Sequence, residues 1–229
     1  MKIAENTEVL FITRDGFSGF HLVLTWDEKN LVLIDACLPG MADDIVKAIA
    51  NAGFKAEDLT HLIITHQDWD HVGSIRELVK IAPKIKVVAH EAEAPYIDGR
   101  ELPIKLVKRL EQFDSLSPEM QTAVTQYKEM YESTPVTVHE EVTDKQVLPV
   151  CGGLEIVHTP GHTPGHIAVY LQKSRVIVVG DAANVENGQI VGFNPIHIHD
   201  PELAGISVEK IKGYDLNGVV AYHTGYLQL

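Results

Sequence analysis

Four side chains able to bind a metal ion fall within six positions of this chain. They are His66, Asp68, Asp70 and His71, in the run Thr65-His66-Gln67-Asp68-Trp69-Asp70-His71. Imidazole nitrogens and carboxylate oxygens are the usual zinc ligands where thiolate is not used. In an extended chain, residues two apart point to the same side. His66, Asp68 and Asp70 are therefore expected to share a face, with His71 turning in where a helix begins. A solvated polar loop could carry the same residue types. Four such groups straight after an apolar run, and just before Gly73, favour metal binding instead.

Four further places repeat the pattern. In Thr159-Pro160-Gly161-His162-Thr163-Pro164-Gly165-His166, two prolines and two glycines fix a tight loop that can hold an imidazole rigidly. His162 is the ligand candidate there. His166 opens the next strand and is read as a core or supporting histidine. The apolar run ending in Gly180-Asp181 places a carboxylate that could bridge two ions. His223, in Tyr222-His223-Thr224-Gly225, and Asp35, in Leu33-Ile34-Asp35-Ala36, also close apolar runs. Each of these last three is a weak signal alone, since Gly-Asp is also a common turn. Five strand ends that each deliver His or Asp make a pattern, because strand ends are where a rigid scaffold presents function.

The elements that must position these groups follow from periodicity. Strands are expected at 9–12, 20–26, 31–34, 62–65, 87–89, 136–139, 154–158, 167–171, 175–179 and 218–222. Helices are expected at 42–52, closed by Gly53, at 73–81, with Pro83 beyond, and at 201–213. Residues 95–134 break the rhythm. They are charged and helix-rich, with Leu106, Leu110 and Phe113 at helical spacing, and they read as a helical insertion or lid within a single domain spanning 1–229. Two sheets packed face to face with helices outside would satisfy this order.

Bulk composition narrows the function classes. The chain has 229 residues, 45% of them apolar, and a net charge of −13. That is enough for one sizeable core. The charge disfavours nucleic acid, although Lys105, Lys108 and Arg109 cluster in one segment. No charged-then-apolar leader and no membrane-length apolar stretch is seen. With two cysteines, Cys37 and Cys151, the expectation is a cytoplasmic protein with free thiols and no membrane partner. Cys37 is read as a small core hydrophobe, not a nucleophile.

Taken together, Asp35, the His66–His71 run, His162, Asp181 and His223 resemble the ordered motif set of the metallo-β-lactamase-fold superfamily, across nearly the whole chain. The specific parts are His66-x-x-x-Asp70-His71 and the doubled Thr-Pro-Gly-His. The resemblance implies an α/β fold, a four-layer αββα sandwich with two metal ions at one edge between the sheets. It implies that His66, Asp68 and His162 bind one ion, that Asp70, His71 and His223 bind the other, and that Asp181 bridges them. Asp35 and His166 are implied to support the site. The usual pattern has His where this chain has Asp68, and flavodiiron relatives have Glu there. Zinc is the expected metal, and the extra oxygen donor brings Fe or Mn into range.

The implied activity is hydrolysis of a small ester, lactone or related acyl substrate by a metal-bound hydroxide, with Asp70 and Asp181 as the catalytic carboxylates. One departure bears on substrate: acyl-homoserine lactonases usually carry Tyr three residues after the Gly-Asp aspartate, where this chain has Asn184. Exported β-lactamases, and glutathione thioesterases with their basic C-terminal region, resemble it less. Two other classes stay open: a di-iron oxidoreductase akin to flavodiiron proteins, and a non-catalytic metal- or ligand-binding regulator. Phe17, Phe20, Trp69 and Asn184 are the candidate pocket residues, Trp69 foremost. His197-Ile198-His199 could place two imidazoles on one side of a strand, but is read as surface or supporting. A small-molecule substrate is the expected partner, and an apolar face on the insertion could support a homodimer.

Overall fold

The computed structural model describes residues 1–14, 19–133 and 135–229. Its first half supplies β1 (Lys2–Ala4), β2 (Thr7–Ile12), β3 (Phe20–Trp26), β4 (Leu31–Ile34), β5 (His61–Ile64), β6 (Lys86–His90) and β7 (Glu140–Val142), which form one sheet in sequence order. The pairs up to β3–β4 are antiparallel, and those from β4 to β7 are parallel. Parallel neighbours need crossovers. Helix α1 (Ala42–Asn51) joins β4 to β5. Helices α2 (Trp69–Val72) and α3 (Ile75–Ile81) lie between β5 and β6.

The second half supplies β8 (Val147–Leu148), β9 (Leu154–His158), β10 (Ile167–Leu171), β11 (Val176–Val178), the ribbon β12 (Ala183–Glu186) with β13 (Gln189–Gly192), β14 (Gly218–Ala221) and β15 (Gly225–Gln228). All but the ribbon form a second sheet in the order β15-β14-β11-β10-β9-β8.

Alternate residues of each strand face opposite layers. Val23, Val32, Ile34, Ile63 and Val88 from the first sheet meet Ile156, Val169, Val178 and Val220 from the second. On the outer face, Leu22, Leu24, Leu33, Leu62 and Ile64 pack against Ile45 and Ile49 of α1 and Leu78 of α3. Residues 94–133 carry α4 (Ala94–Ile97), α5 (Ile104–Glu111), a 3-10 turn (Phe113–Ser115) and α6 (Pro118–Ser133). Leu106, Val124 and Tyr131 of these helices are buried and join the same outer core. The second sheet's outer face, with Val157, Ile177 and Val219, is covered by Val208 and Ile211 of α7 (Pro201–Lys212). This is the four-layer αββα order. Strands such as β4, buried at all four positions, read as unbroken apolar runs because both of their faces are covered.

Several elements differ from expectation, two of them for identifiable reasons. The strand expected at 136–139 is absent, and pairing starts only at β7. His139 N–H bonds to the Val87 carbonyl at 2.8 Å while its own Nδ1 accepts the Val87 N–H at 3.1 Å, so a side chain takes the place of a ladder bond. The helix expected at 73–81 begins at Ile75, because the Gly73 and Ser74 N–H groups bond to Cys37 and Ala36 carbonyls instead of to helical ones. Gly73 is needed there, since a Cβ would lie 2.2 Å from the Pro39 nitrogen. Pro195–His197 is a 3-10 turn rather than a strand. Among the described residues, no helix is long and apolar enough to cross a membrane.

Candidate metal centre

The residues singled out in the sequence come together at one edge of the sandwich, past the C-terminal ends of the parallel strands β4, β5, β11 and β14. Two groups of potential ligand atoms, His66-Asp68-His162 and Asp70-His71-His223, each lie within 4.8 Å of one another. In the first, Asp68 Oδ2 is 3.4 Å from His66 Nε2 and 2.9 Å from His162 Nε2. In the second, Asp70 Oδ2 is 3.9 Å from His71 Nε2 and 3.4 Å from His223 Nε2. Asp181 stands between them. Its Oδ2 is 3.6 Å from His162 Nε2 and 4.0 Å from His66 Nε2, and its Oδ1 is 3.5 Å from His71 Nε2 and 3.3 Å from His223 Nε2. Ligand atoms bonded tetrahedrally to zinc lie roughly 3.4 Å apart, so the spacing suits two ions sharing one carboxylate.

His66, Asp68 and Asp70 do not share one extended face. Asp68 is extended (φ −67, ψ 145), but α2 starts at Trp69, and the His71 and Val72 N–H groups both bond to the Asp68 carbonyl. That helical turn carries Asp70 and His71 to the second group while His66 and Asp68 stay with the first.

Buried polar atoms test whether the site fits metal. His66 Nε2, His71 Nε2, Asp68 Oδ1 and Asp181 Oδ1 are all buried and lack a hydrogen bond of normal geometry among the described residues. Each such atom costs about 1–3 kcal/mol, so four approach the roughly 5–15 kcal/mol that stabilises a whole domain. A divalent ion bound with roughly 10 kcal/mol or more offsets that. The donor set fits.

Two of the four candidate imidazoles, His71 and His66, are held by their other nitrogen. His71 Nδ1 is 2.9 Å from Asp35 Oδ2, which aims Nε2 into the site. Asp35 itself has φ +67, a conformation that Asp tolerates better than most residues, and it accepts both the N–H (2.9 Å) and the hydroxyl of Thr65. His66 Nδ1 lies 3.0 Å from the same hydroxyl. His166 uses both nitrogens, Nδ1 with Thr159 Oγ1 at 2.8 Å and Nε2 accepting the Asp181 N–H at 3.0 Å, so it positions the bridging residue and has no nitrogen left for a metal. Gly180 makes room for it, since a Cβ would lie 2.9 Å from that Nε2.

Two residues of the site were not singled out as such from sequence. Glu93, fully buried, accepts the Gln67 N–H (2.8 Å) and side-chain amide (2.9 Å) on Oε2 and the Gly165 N–H (2.8 Å) on Oε1, tying the two ligand loops together. Its signal was one more acid after a strand, on a segment with no other motif. Lys105 reaches from α5 to Asp68 Oδ2 and lies 2.9 Å from His162 Nε2. Gln67 also accepts the Ile104 N–H at 2.8 Å, and the Tyr131 hydroxyl donates to its carbonyl, so α5 and α6 are fastened to the ligand run.

The chain's own charges set the protonation of the site. Burial opposes charge on His71, but Asp35, Asp181 and Asp70 outweigh it and hold the imidazole well above its usual range. Burial and neighbouring His71 push His66 down to about 3. Burial would raise Asp68, yet His162, His66 and Lys105 keep it well below the carboxylate range. Burial raises Glu93 to about 7 against the pull of its donors. Burial also lifts the Cys37 thiol to about 12, which makes it inert at neutral pH.

A cavity of about 540 Å³ opens over the centre, walled by Trp69, Tyr127, Met130, Phe193 and the cations Lys105 and Arg109. Trp69 lines it as expected. Phe20 and Asn184 do not. The Phe20 ring is buried against Tyr222 and His223, and Asn184 sits within the ribbon opposite Val191. Phe17 lies outside the described residues. His197 lines the cavity too, which its reading as a surface or supporting residue did not anticipate.

Comparison with known proteins agrees with the fold. Residues 16–223 match the family described as the metallo-beta-lactamase superfamily. A probable metallo-hydrolase, YflN of Bacillus subtilis (strain 168), is 26% identical over 212 residues, covering 90% of this chain and 69% of that protein. An N-acyl homoserine lactonase of a Bacillus species is 24% identical over 179 residues, covering 76% of this chain and 59% of the lactonase. Among solved structures, a metallo-beta-lactamase family protein from Thermus thermophilus superposes with a TM-score of 0.75 at 20% identity, over 98% of this chain and 75% of that one. A superfamily protein from Sulfolobus tokodaii gives 0.69 at 20%, over 97% and 81%.

Proposed function

This chain belongs to the metallo-beta-lactamase superfamily, and on that premise we propose that it is a binuclear metal-dependent hydrolase of small esters, lactones or related acyl compounds. The observation that carries the reading is Asp181, whose two oxygens face one ligand group each. His66, Asp68 and His162 would hold one ion and Asp70, His71 and His223 the other. Zinc suits the four imidazoles, and iron or manganese the carboxylates. When bound, such ions supply Lewis acidity and lower the pKa of a water toward neutrality.

The chain's residues do the rest. Asp35 keeps the proton of His71 on Nδ1, leaving Nε2 as a donor toward the ion. Asp70, at the cavity wall, is placed to take a proton from the attacking water and pass it to the leaving group. Trp69, Tyr127 and Met130 offer an apolar wall for the acyl portion. The relationship to a homoserine lactonase supports lactones as a substrate class without fixing the acyl chain.

The test is turnover of γ-lactones and 4-nitrophenyl esters by zinc- or manganese-reconstituted protein. Hydrolysis that disappears with chelator, and that falls at least about a thousandfold in Asp181→Asn, is expected. No turnover across the panel by protein shown to hold its metals would contradict the assignment.

A further inference from the structure

A second cavity, of about 220 Å³, adjoins the one over the metal centre and shares Lys105, Arg109, His162 and His197 with it. Its own wall adds Lys108 and His199, with Ile104, Ile196 and Ile198 between the polar groups. No carboxylate lines it among the described residues. That runs against the chain's balance of 32 acidic to 19 basic residues.

Several cations elsewhere on the surface are matched by carboxylates, as in Arg14–Asp44, Arg100–Asp98 and Lys210–Asp144. Here they are not. Lys108 meets only the His199 ring, at 3.1 Å, and no carboxylate pairs with Arg109 among the described residues. Lys105 is neutralised by Asp68. Asp200, next to His199, is committed elsewhere: its Oδ1 accepts the Glu202 and Leu203 N–H groups at the start of α7. The annex thus offers two unmatched cations and an apolar lining, one step from the metal centre. A concave wall concentrates their field, and a guanidinium can grip an oxyanion through two bonds at once.

We propose that this annex is an anion subsite. The acyl substrate carries a carboxylate or phosphate at the end remote from the cleaved bond, and Lys108 and Arg109 bind it. The assignment rests on the hydrolase reading above, so its test separates the two. Both side chains are exposed, and replacing them leaves the core intact.

The readout is the ratio of kcat/KM for mono-4-nitrophenyl glutarate to that for 4-nitrophenyl butyrate. The subsite predicts a ratio of about ten in the wild type, arising in KM, that collapses toward one in the double variant Lys108→Ala/Arg109→Ala. A ratio near one in the wild type, or one unmoved by the substitutions, overturns the subsite. If neither ester turns over, the hydrolase reading is judged by the full lactone and ester panel above. The subsite is then judged by calorimetric titration of glutarate and of inorganic phosphate into metal-loaded protein. Binding about tenfold weaker in the double variant supports it, and the tighter anion names the oxyanion. Equal binding to both proteins, or binding to neither, overturns it.

Discussion

Asp68 faces two claimants. Lys105 Nζ lies against its Oδ2 and 2.9 Å from His162 Nε2, so the ammonium covers two of the three donor atoms of one metal position. An ion entering there must displace a like charge, whereas among the described residues no cation lies on Asp70, His71 or His223. The two ions are therefore expected to bind with unequal affinity. Lys105→Met should tighten the weaker event by about fivefold, since one screened charge contact at a partly exposed site is worth about 1 kcal/mol. Calorimetric titration of zinc into metal-free protein checks this, and an unchanged weaker constant would remove Lys105 from the account. The candidate ligands were legible in the sequence because His and Asp recur at five strand ends and are chemically specific. Lys105 was visible only as one member of a basic cluster, because its partner lies 37 positions away and nothing in the local pattern signals that distance.

At the scale of elements, Glu93 holds the Gln67 and Gly165 backbones and so sets the distance between the His66–His71 run and the loop bearing His162. Burial raises its folded pKa from the usual 4.5 to about 7. The folded state then binds the proton more tightly than the unfolded one. Its contribution to stability is complete below about pH 4.5 and is lost as pH rises through 7. Metal-free wild type should lose stability across that window relative to Glu93→Gln, which has nothing to titrate there. Urea melts of both proteins at intervals from about pH 4.5 to about pH 8 measure it, and parallel curves would contradict it. Most helices and strands were legible because their apolar periods are long and their ends carry Gly or Pro, as with α1 before Gly53 and α7 with Pro201 at its start. The failures came where tertiary hydrogen bonds override local pattern. Gly73 and Ser74 bond to the 36–37 segment, His139 pairs sideways with Val87, and the α2 turn splits one ligand run between two groups. The β12–β13 ribbon, Ala183–Glu186 with Gln189–Gly192, mixes polar residues into both strands and lacks the unbroken apolar run that marks β4 at the same length.

For the whole molecule, the site is also a fastening. Asp35 and the His66–His71 run belong to the first sheet, while His162, Asp181 and His223 belong to the second, so any ion held between them joins the two halves of the sandwich. Two ions are proposed to do so, with Asp181 between them. This proposal is tested most directly by inductively coupled plasma mass spectrometry on reconstituted, desalted wild type, Asp68→Ala and Asp181→Ala. Close to two ions per chain are expected in the wild type, about one in Asp68→Ala, and fewer than one in Asp181→Ala. A wild type that retains no metal after reconstitution, or an Asp181→Ala protein that retains two, would contradict it.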